Sequence, residues 1–247
     1  MTSTGWIDRP MTGFDTETTG VDVDRDRIVT AALVRRPGRL APDHVSAWLL
    51  DPGIPIPAAA TAVHGIGTDM ARVHGRRARE GVEEIATALV QALRRGEPVV
   101  AYNAAYDLTL LDVELSRHGL AGLADRFGGP IGPVLDPLVL DRAVDQYRPG
   151  KRRLGDLCAH YGITTGTLHS ADADVAATLD VLAAIVAAHP ELASLDLVEL
   201  HALQLSAHRR WAESFNDWRA SRGLAGDGAE TTWPMRPTVR PAALAAG

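Results

Sequence analysis

The chain is short of cysteine, of lysine and of positive charge overall. Its single cysteine, Cys158, excludes an intramolecular disulfide. Set in the apolar run Leu154-Gly155-Asp156-Leu157-Cys158, it reads as a small core residue. Lys151 is the only lysine, so nearly all positive charge is arginine. With the many alanines, this reads as the stamp of a GC-rich genome rather than a function. The formal net charge of −6 gives no global pull toward nucleic acid, so any such site must be a local patch or must use metal ions to bridge phosphates. No apolar run approaches the ~18 residues of a membrane span. Residues 1–10 lack the apolar stretch of a secretory signal, and no internal repeat is visible. A soluble, cytoplasmic protein with no membrane partner is expected.

What is present is enough apolar material for a substantial core: 247 residues, 46% of them hydrophobic. Strand-like segments open the chain at residues 13–16, 28–35 and 45–50, spaced as an antiparallel meander. A proline-punctuated loop follows from Pro52 to Pro57. Residues 81–95 read as a helix with Val82, Ile85, Leu89 and Leu93 on one face. A short strand at 98–102 leads to a helix over 104–118 with Leu108, Leu111 and Leu115 inward. Residues 134–140 start as a strand and turn helical near Pro137. Residues 154–161 form a short helix ended by Gly162, and 171–188 a longer one. The pattern is α/β with a mixed sheet. A further helix over 195–222 carries Trp211, Phe215 and Trp218 on one face, read as packing against the main domain. Residues 224–247 are expected to form a flexible tail if nothing covers Trp233.

The run Phe14-Asp15-Thr16-Glu17-Thr18-Thr19-Gly20 carries the chemistry. It reads as a strand ending in a turn, and residues two apart on a strand point to one side of the sheet. Asp15 and Glu17 therefore converge. Like charges held that close repel unless a cation sits between them, and hard oxygen ligands suit Mg²⁺ or Mn²⁺. Two later segments bring further acids. Tyr102-Asn103-Ala104-Ala105-Tyr106-Asp107 places Asp107 in the first turn of a helix after a strand. His169-Ser170-Ala171-Asp172-Ala173-Asp174 places a histidine before a helix and Asp174 in its first turn. Taken singly, Asp107 and Asp174 are acids that a helix dipole stabilises without any metal. Asp172 competes with Asp174 as a ligand.

In their order and spacing these motifs resemble the DnaQ-like 3′→5′ exonucleases of the DEDDh type, over roughly residues 11–188. The D-x-E motif is matched by Asp15 and Glu17, the second motif by Asp107 after Asn103 and Tyr106, the third by His169 and Asp174. The departure is Tyr102 where many members carry histidine. The resemblance implies a ribonuclease H-like fold: a mixed sheet of about five strands flanked by helices. It also implies two divalent cations, Mg²⁺ or Mn²⁺, bridged by Asp15, with Glu17 and Asp174 completing one site and Asp107 holding the other. His169, with an ordinary pKa near ~6.5, would take the proton of the attacking water. Thr16, Thr18, His64 and Asn103 are the expected substrate contacts. The implied partners are 3′ ends of single-stranded DNA or RNA, together with a polymerase or repair protein. An exoribonuclease, or an idle member serving as a binding module, are the alternatives. On this reading residues 1–192 are the exonuclease domain and 193–223 a helical appendage.

Three lesser features carry no function at this point. Asp22, Asp24 and Asp26 mimic a calcium loop but Arg27 and Leu33 occupy the places of its glycine and glutamate, leaving a solvated turn. The basic run from His74 to Arg79 reads as a solvated loop or helix start. Gln204-Leu205-Ser206 lies inside a helix and lacks the aromatic ending of a clamp-binding peptide.

Overall fold

The computed structural model describes residues 5–38, 41–164 and 170–237. Three antiparallel strands open the chain: β1 (Met11–Thr18), β2 (Ile28–Arg36) and β3 (His44–Asp51). Two short helices, α1 (Ala58–His64) and α2 (Thr68–His74), follow the loop of Pro52 to Pro57, in a stretch to which the sequence reading assigned no helix. A two-residue strand β4 (Arg76–Arg77) then joins the edge of β3, and α3 (Ala78–Arg94) starts directly after it. The short strand β5 (Val99–Val100) lies parallel to β1 and is followed by α4 (Ala104–Arg117) and α5 (Leu123–Phe127). Strand β6 (Val134–Leu135) runs parallel to β5 and leads into α6 (Pro137–Val144) and α7 (Leu154–His160). The chain closes with α8 (Ala171–Ala188), α9 (Glu191–Ser194) and α10 (Leu197–Ser221). The mixed sheet has the order β4-β3-β2-β1-β5-β6. Its sixth strand is the Arg76–Arg77 pair at the edge, where the sequence reading placed a solvated loop or helix start.

Helices cover both faces of the sheet, and the alternation of β1 assigns its side chains to them. Phe14 packs with Val82, Ile85, Leu89, Leu108, Leu111 and Leu115 of α3 and α4. Met11 packs with Val175, Leu179, Leu182 and Ile185 of α8. The faces read from helical spacing are thus the buried ones. Cys158 is buried in the α8-side core, as expected.

Gly13 sets how closely α8 can approach. A Cβ there would lie 2.2 Å from Val175 Cγ1 and 3.3 Å from Leu179 Cδ1. Without one, the first turns of α8 rest directly on β1. Gly13, Asp15 and Glu17 share that face.

The segment after α10 turns back along the helix rather than leaving the body. Arg219 donates to the carbonyl of Ala225 at 2.6 Å, and Asn216 pairs with Ala229 through both amide groups at 2.7 and 3.0 Å. The segment ends with Trp233 in the α4-side core, only 3% exposed. The condition under which a tail was expected is therefore not met up to residue 237. The aromatic face of α10 also departs from expectation. Trp211 meets α6 through Arg142, but Phe215 is half-buried and Trp218 is 49% exposed.

Two substitutions test this packing. Trp233→Ala is expected to cost on the order of 3–5 kcal/mol in urea unfolding, as for a buried tryptophan; an unchanged midpoint would mean the C-terminal segment is not seated. Gly13→Ala is expected to cost roughly 1–3 kcal/mol by overpacking against Val175, and stability equal to the parent chain would show that α8 does not rest on β1.

Candidate active site

β1 places its two acids on the α8 side, and the first turn of α8 brings a third. One oxygen each from Asp15, Glu17 and Asp174 lie within 4.8 Å of one another. All three residues are half-buried. Asp172 is exposed and stays outside this group, which leaves Asp174 as the acid of α8 that joins the cluster. His169 lies outside the described residues.

Asp107 approaches from the other face. It sits in the first turn of α4 and is 4% exposed. Its Oδ1 accepts from the backbone N–H of Thr16 at 3.1 Å and from the Thr16 hydroxyl at 2.5 Å. Thr16 thus directs both of its donors at Asp107 while its neighbours Asp15 and Glu17 point to the opposite face.

The electrostatics follow from burial and crowding. Burial raises the pKa of Asp15 well above the ordinary carboxylate value, and the charges of Asp107, Asp174 and Glu17 raise it further. The backbone hydrogen bond of Thr16 opposes the rise. Burial pushes the Asp107 carboxyl up to about 7, against the lowering effect of its hydrogen bonds with Thr16. Four acids drawn together on a half-buried site fit a divalent cation: the donors are hard oxygens, and their repulsion is what a cation relieves. Asp15, Glu17 and Asp174 would hold it, with Asp107 at its margin.

Asp136 is a positioning residue that sequence reading missed. It is 1% exposed, yet its carboxylate accepts from the N–H groups of Asn103 at 3.1 Å, Ala104 at 2.9 Å and Leu138 at 2.9 Å. It therefore caps α6 and also holds the turn that starts α4. Asn103 adopts a left-handed conformation there, with φ of 59°, a backbone that asparagine tolerates better than most residues. The available signal was Asp136 followed by Pro137, an N-cap before a first-turn proline. Tyr106 supports the same region. Its hydroxyl donates to the Gly20 carbonyl at 2.6 Å and lies 3.0 Å from the Thr18 hydroxyl.

The expected substrate contacts are placed as follows. Thr16 is turned to Asp107 and Thr18 to Tyr106 and Gly20. His64 closes α1 and lines a cavity of about 340 Å³ together with Glu17, Trp48, Ile66, Ala171 and Asp172. The Ile66 N–H donates to His64 Nδ1 at 3.2 Å. Burial lowers the His64 pKa, with the Thr18 backbone opposing the shift, so its neutral form presents Nε2–H as a donor. Asn103 lies in the turn held by Asp136.

Comparison with known proteins agrees with this geometry. The family model described as Exonuclease (RNase_T) matches residues 12–182. A DNA polymerase III subunit epsilon-like protein of Rhodobacter capsulatus is 35% identical over 177 residues, covering 68% of this chain and 22% of that protein. The DNA polymerase III PolC-type of Lacticaseibacillus paracasei is 30% identical over 165 residues, covering 67% of this chain and 10% of that one. The chain thus spans between a tenth and about a fifth of these relatives. The DNA polymerase III subunit epsilon of Treponema pallidum is 29% identical over 184 residues, with 72% and 77% covered. Among solved structures, exonuclease I of Methylocaldum szegediense aligns with a TM-score of 0.61 at 24% identity, over 75% of this chain and 42% of that one. Exonuclease I of E. coli in complex with a dT13 oligonucleotide gives 0.59 at 20% identity, over 74% and 42%. These likenesses establish the ribonuclease H-like fold. With an acidic cluster assembled on that fold and the family model spanning residues 12–182, the chain belongs to the Exonuclease family and is a phosphodiester hydrolase.

Proposed function

We propose that this protein removes nucleotides one at a time from the 3′ end of single-stranded or frayed DNA, releasing nucleoside 5′-monophosphates. The observation that carries the reading is the convergence of Asp15, Glu17 and Asp174 within 4.8 Å, with Asp107 held beside them by Thr16. Asp15, Glu17, Asp174 and Asp107 would hold two divalent cations, Mg²⁺ or Mn²⁺. Bound there, the cations would neutralise charge on the scissile phosphate and favour ionisation of the attacking water. Asp107, kept in place by two hydrogen bonds, fixes its side of the site. The base is assigned to His169, five residues before Asp174, on the match to the third motif alone.

His64 and its cavity fit the terminal nucleotide. His64 and Glu17 line the same space. The relatives named as DNA polymerase III subunits, and the solved exonuclease I with a dT13 oligonucleotide, support DNA over RNA and a polymerase as partner. The complete acidic set argues against an idle module, since clustered buried carboxylates destabilise a fold that makes no use of them.

The reaction is tested by end-labelled single strands of DNA and RNA, incubated with Mg²⁺, Mn²⁺ or EDTA. Metal-dependent release of mononucleotides from the 3′ label, with stepwise shortening of the 5′-labelled strand, is the expected result. Cleavage from the 5′ end, or cleavage that survives EDTA, would overturn the assignment.

Asp15→Asn separates charge from shape. It is expected to abolish hydrolysis and, in EDTA, to raise the melting temperature by roughly 2–4 °C for each ~1 kcal/mol of repulsion removed. A variant that stays active, or melts lower in EDTA, contradicts the assigned role.

The parent chain should also respond to pH. Carboxyls whose pKa rises on folding bind protons that the unfolded chain has already lost above about 3.9. The metal-free fold therefore loses stability as pH climbs through the value of about 7 for Asp107. Melting in EDTA should fall between about pH 5 and about pH 8, and Mg²⁺ should reverse the loss at the higher pH. A flat or rising profile in EDTA would refute this.

A further inference from the structure

The exposed aromatic face of α10 has no part in the site described above. Its rings form a continuous row. Trp211 and Phe215 stack with centroids 5.6 Å apart and planes 16° from parallel, and Phe215 and Trp218 follow at 5.8 Å and 28°. The return segment from Ala225 to Trp233 covers the adjoining face of the helix, through Arg219, Asn216 and His208, and Arg219 also stands 5.9 Å over the Phe215 ring, so the open end of the row is Trp218. Trp218, 49% exposed, is the ring of the row most open to solvent.

The base of the row is positively charged. The Arg142 guanidinium lies 3.7 Å from the centre of the Trp211 ring. Among the described residues it forms no ion pair, and burial pulls its pKa below the ordinary arginine value. A cavity of about 410 Å³ opens beside it, lined by Gln146, Gly150, Arg152, Arg210 and Trp211. Arg148 and Arg152 both pair with Asp141, and Arg148 also reaches Asp145 at 3.5 Å. Lys151, the only lysine of the chain, and Tyr147, 89% exposed, stand on the same loop. In a chain of net charge −6 this is a local concentration of cations around aromatic rings.

The row is also continuous with the end of the sheet that carries the acids. His201 Nδ1 accepts from the Val134 N–H at 3.1 Å and Gln204 Oε1 from the Asp136 N–H at 2.7 Å. α10 therefore runs in the direction of β6 and leaves past its carboxyl end. There Asp136 holds the turn that begins the helix of Asp107. At 1.5 Å per residue, Trp211 stands about 10 Å and Trp218 about 21 Å beyond Gln204 along the helix axis.

We propose that this row and its arginine cavity bind single-stranded nucleic acid upstream of the 3′ terminus, a base stacking on Trp218 at the open end of the row and a phosphate meeting Arg142 and Arg210. The inference rests on the exonuclease reading for its polarity. Bases have a π-face whatever their identity, so such a row tolerates sequence. The cations around it match a polyanion rather than a second copy of this acidic chain.

The test compares hydrolysis of a thymidine trinucleotide with that of an oligothymidylate of about twenty residues, a length that exceeds the usual single-strand site. Trp218→Ala and Arg210→Gln, both at exposed positions, are expected to raise KM for the long strand roughly tenfold, with kcat and trinucleotide hydrolysis held. Trp218→Phe, which keeps a ring, should restore most of the loss. In EDTA, the long strand should quench tryptophan fluorescence of the full chain, and Trp218→Ala should weaken that binding by a similar factor. Equal losses on both substrates would show a merely structural role and overturn the proposal. Unchanged long-strand binding and KM in both variants would also overturn it and leave the face to a protein partner. A dimer in sedimentation that Trp218→Ala dissociates, with strand binding intact, would assign the face to a second copy. Strand quenching lost in Trp218→Ala, without hydrolysis of any strand by the parent chain, would reject the exonuclease reading and retain the binding row.

Discussion

Mutual repulsion among carboxylates is the constraint around which this molecule is built. Asp15 has Glu17 and Asp174 close by and Asp107 near enough to raise its pKa, and all are removed from bulk water to some degree. An unaided chain would relax by turning these side chains outward. Here the two-residue period of β1 aims Asp15 and Glu17 the same way, Gly13 lets α8 press Asp174 onto them, and Thr16 restrains Asp107. The apolar cores on both faces of the sheet supply the stability against which this local strain is set. The same arrangement explains why the site calls for cations: the energy that crowding costs the metal-free fold is recovered when positive charge enters.

β1 is the pivot because it serves both faces at once. Its odd-numbered residues from Gly13 to Glu17 look toward α8, and Phe14 and Thr16 look toward α3 and α4. Thr16 therefore lies between two of the acids in sequence while binding a third in space. The other side of Asp107 is fixed by Asp136, which holds the start of α4 by two backbone N–H groups. Asp136 is in turn tied to α10 through Gln204, at 2.7 Å, and Gln204 also donates to the Val134 carbonyl at 3.1 Å. A helix that follows the matched family region is thus wired by hydrogen bonds to the turn that carries an acid of the proposed site.

Much of this was legible in the sequence because it depends on short periods. The i, i+2 relation of Asp15 and Glu17, the helical spacing of Val82, Ile85, Leu89 and Leu93, and the bounds of α8 are local properties, and local geometry fixes them. What escaped was long-range or lacked a distinctive residue. Helices α1 and α2 are seven residues each, and α1 buries no side chain fully, so no apolar face announced it. Arg76 and Arg77 join the sheet by backbone pairing alone, which leaves no side-chain pattern to read. Asp136 before Pro137 carries only the local signal of a cap, which was not read, and its second role needs Asn103, thirty-three residues away. The expected burial of the Trp211 face rested on the rule that aromatics at helical spacing seek a core. That rule fails where the helix outruns the sheet it packs on, as α10 does beyond Gln204.

An acidic protein that acts on a polyanion must confine its attraction to places. Net charge of −6 opposes long-range association, so contact has to be made at short range, by cations bound at the carboxylates and by arginines whose own counter-charges are few. The Asp141 carboxylate shows how the chain rations this. It is fully buried, accepts from Tyr161 at 2.9 Å and from Arg148 at 2.6 Å, and also pairs with Arg152. Asp145 adds a second contact to Arg148 at 3.5 Å, and with Lys151 and Arg153 on the same loop positive charge still exceeds these two acids. Arg142, one residue after Asp141, is held by the Trp211 ring instead of a carboxylate. A cation fixed by an aromatic face keeps its N–H groups available to an anion. The same helix that anchors Asp136 therefore also presents the charge that Asp136 and its neighbours, being acidic, cannot.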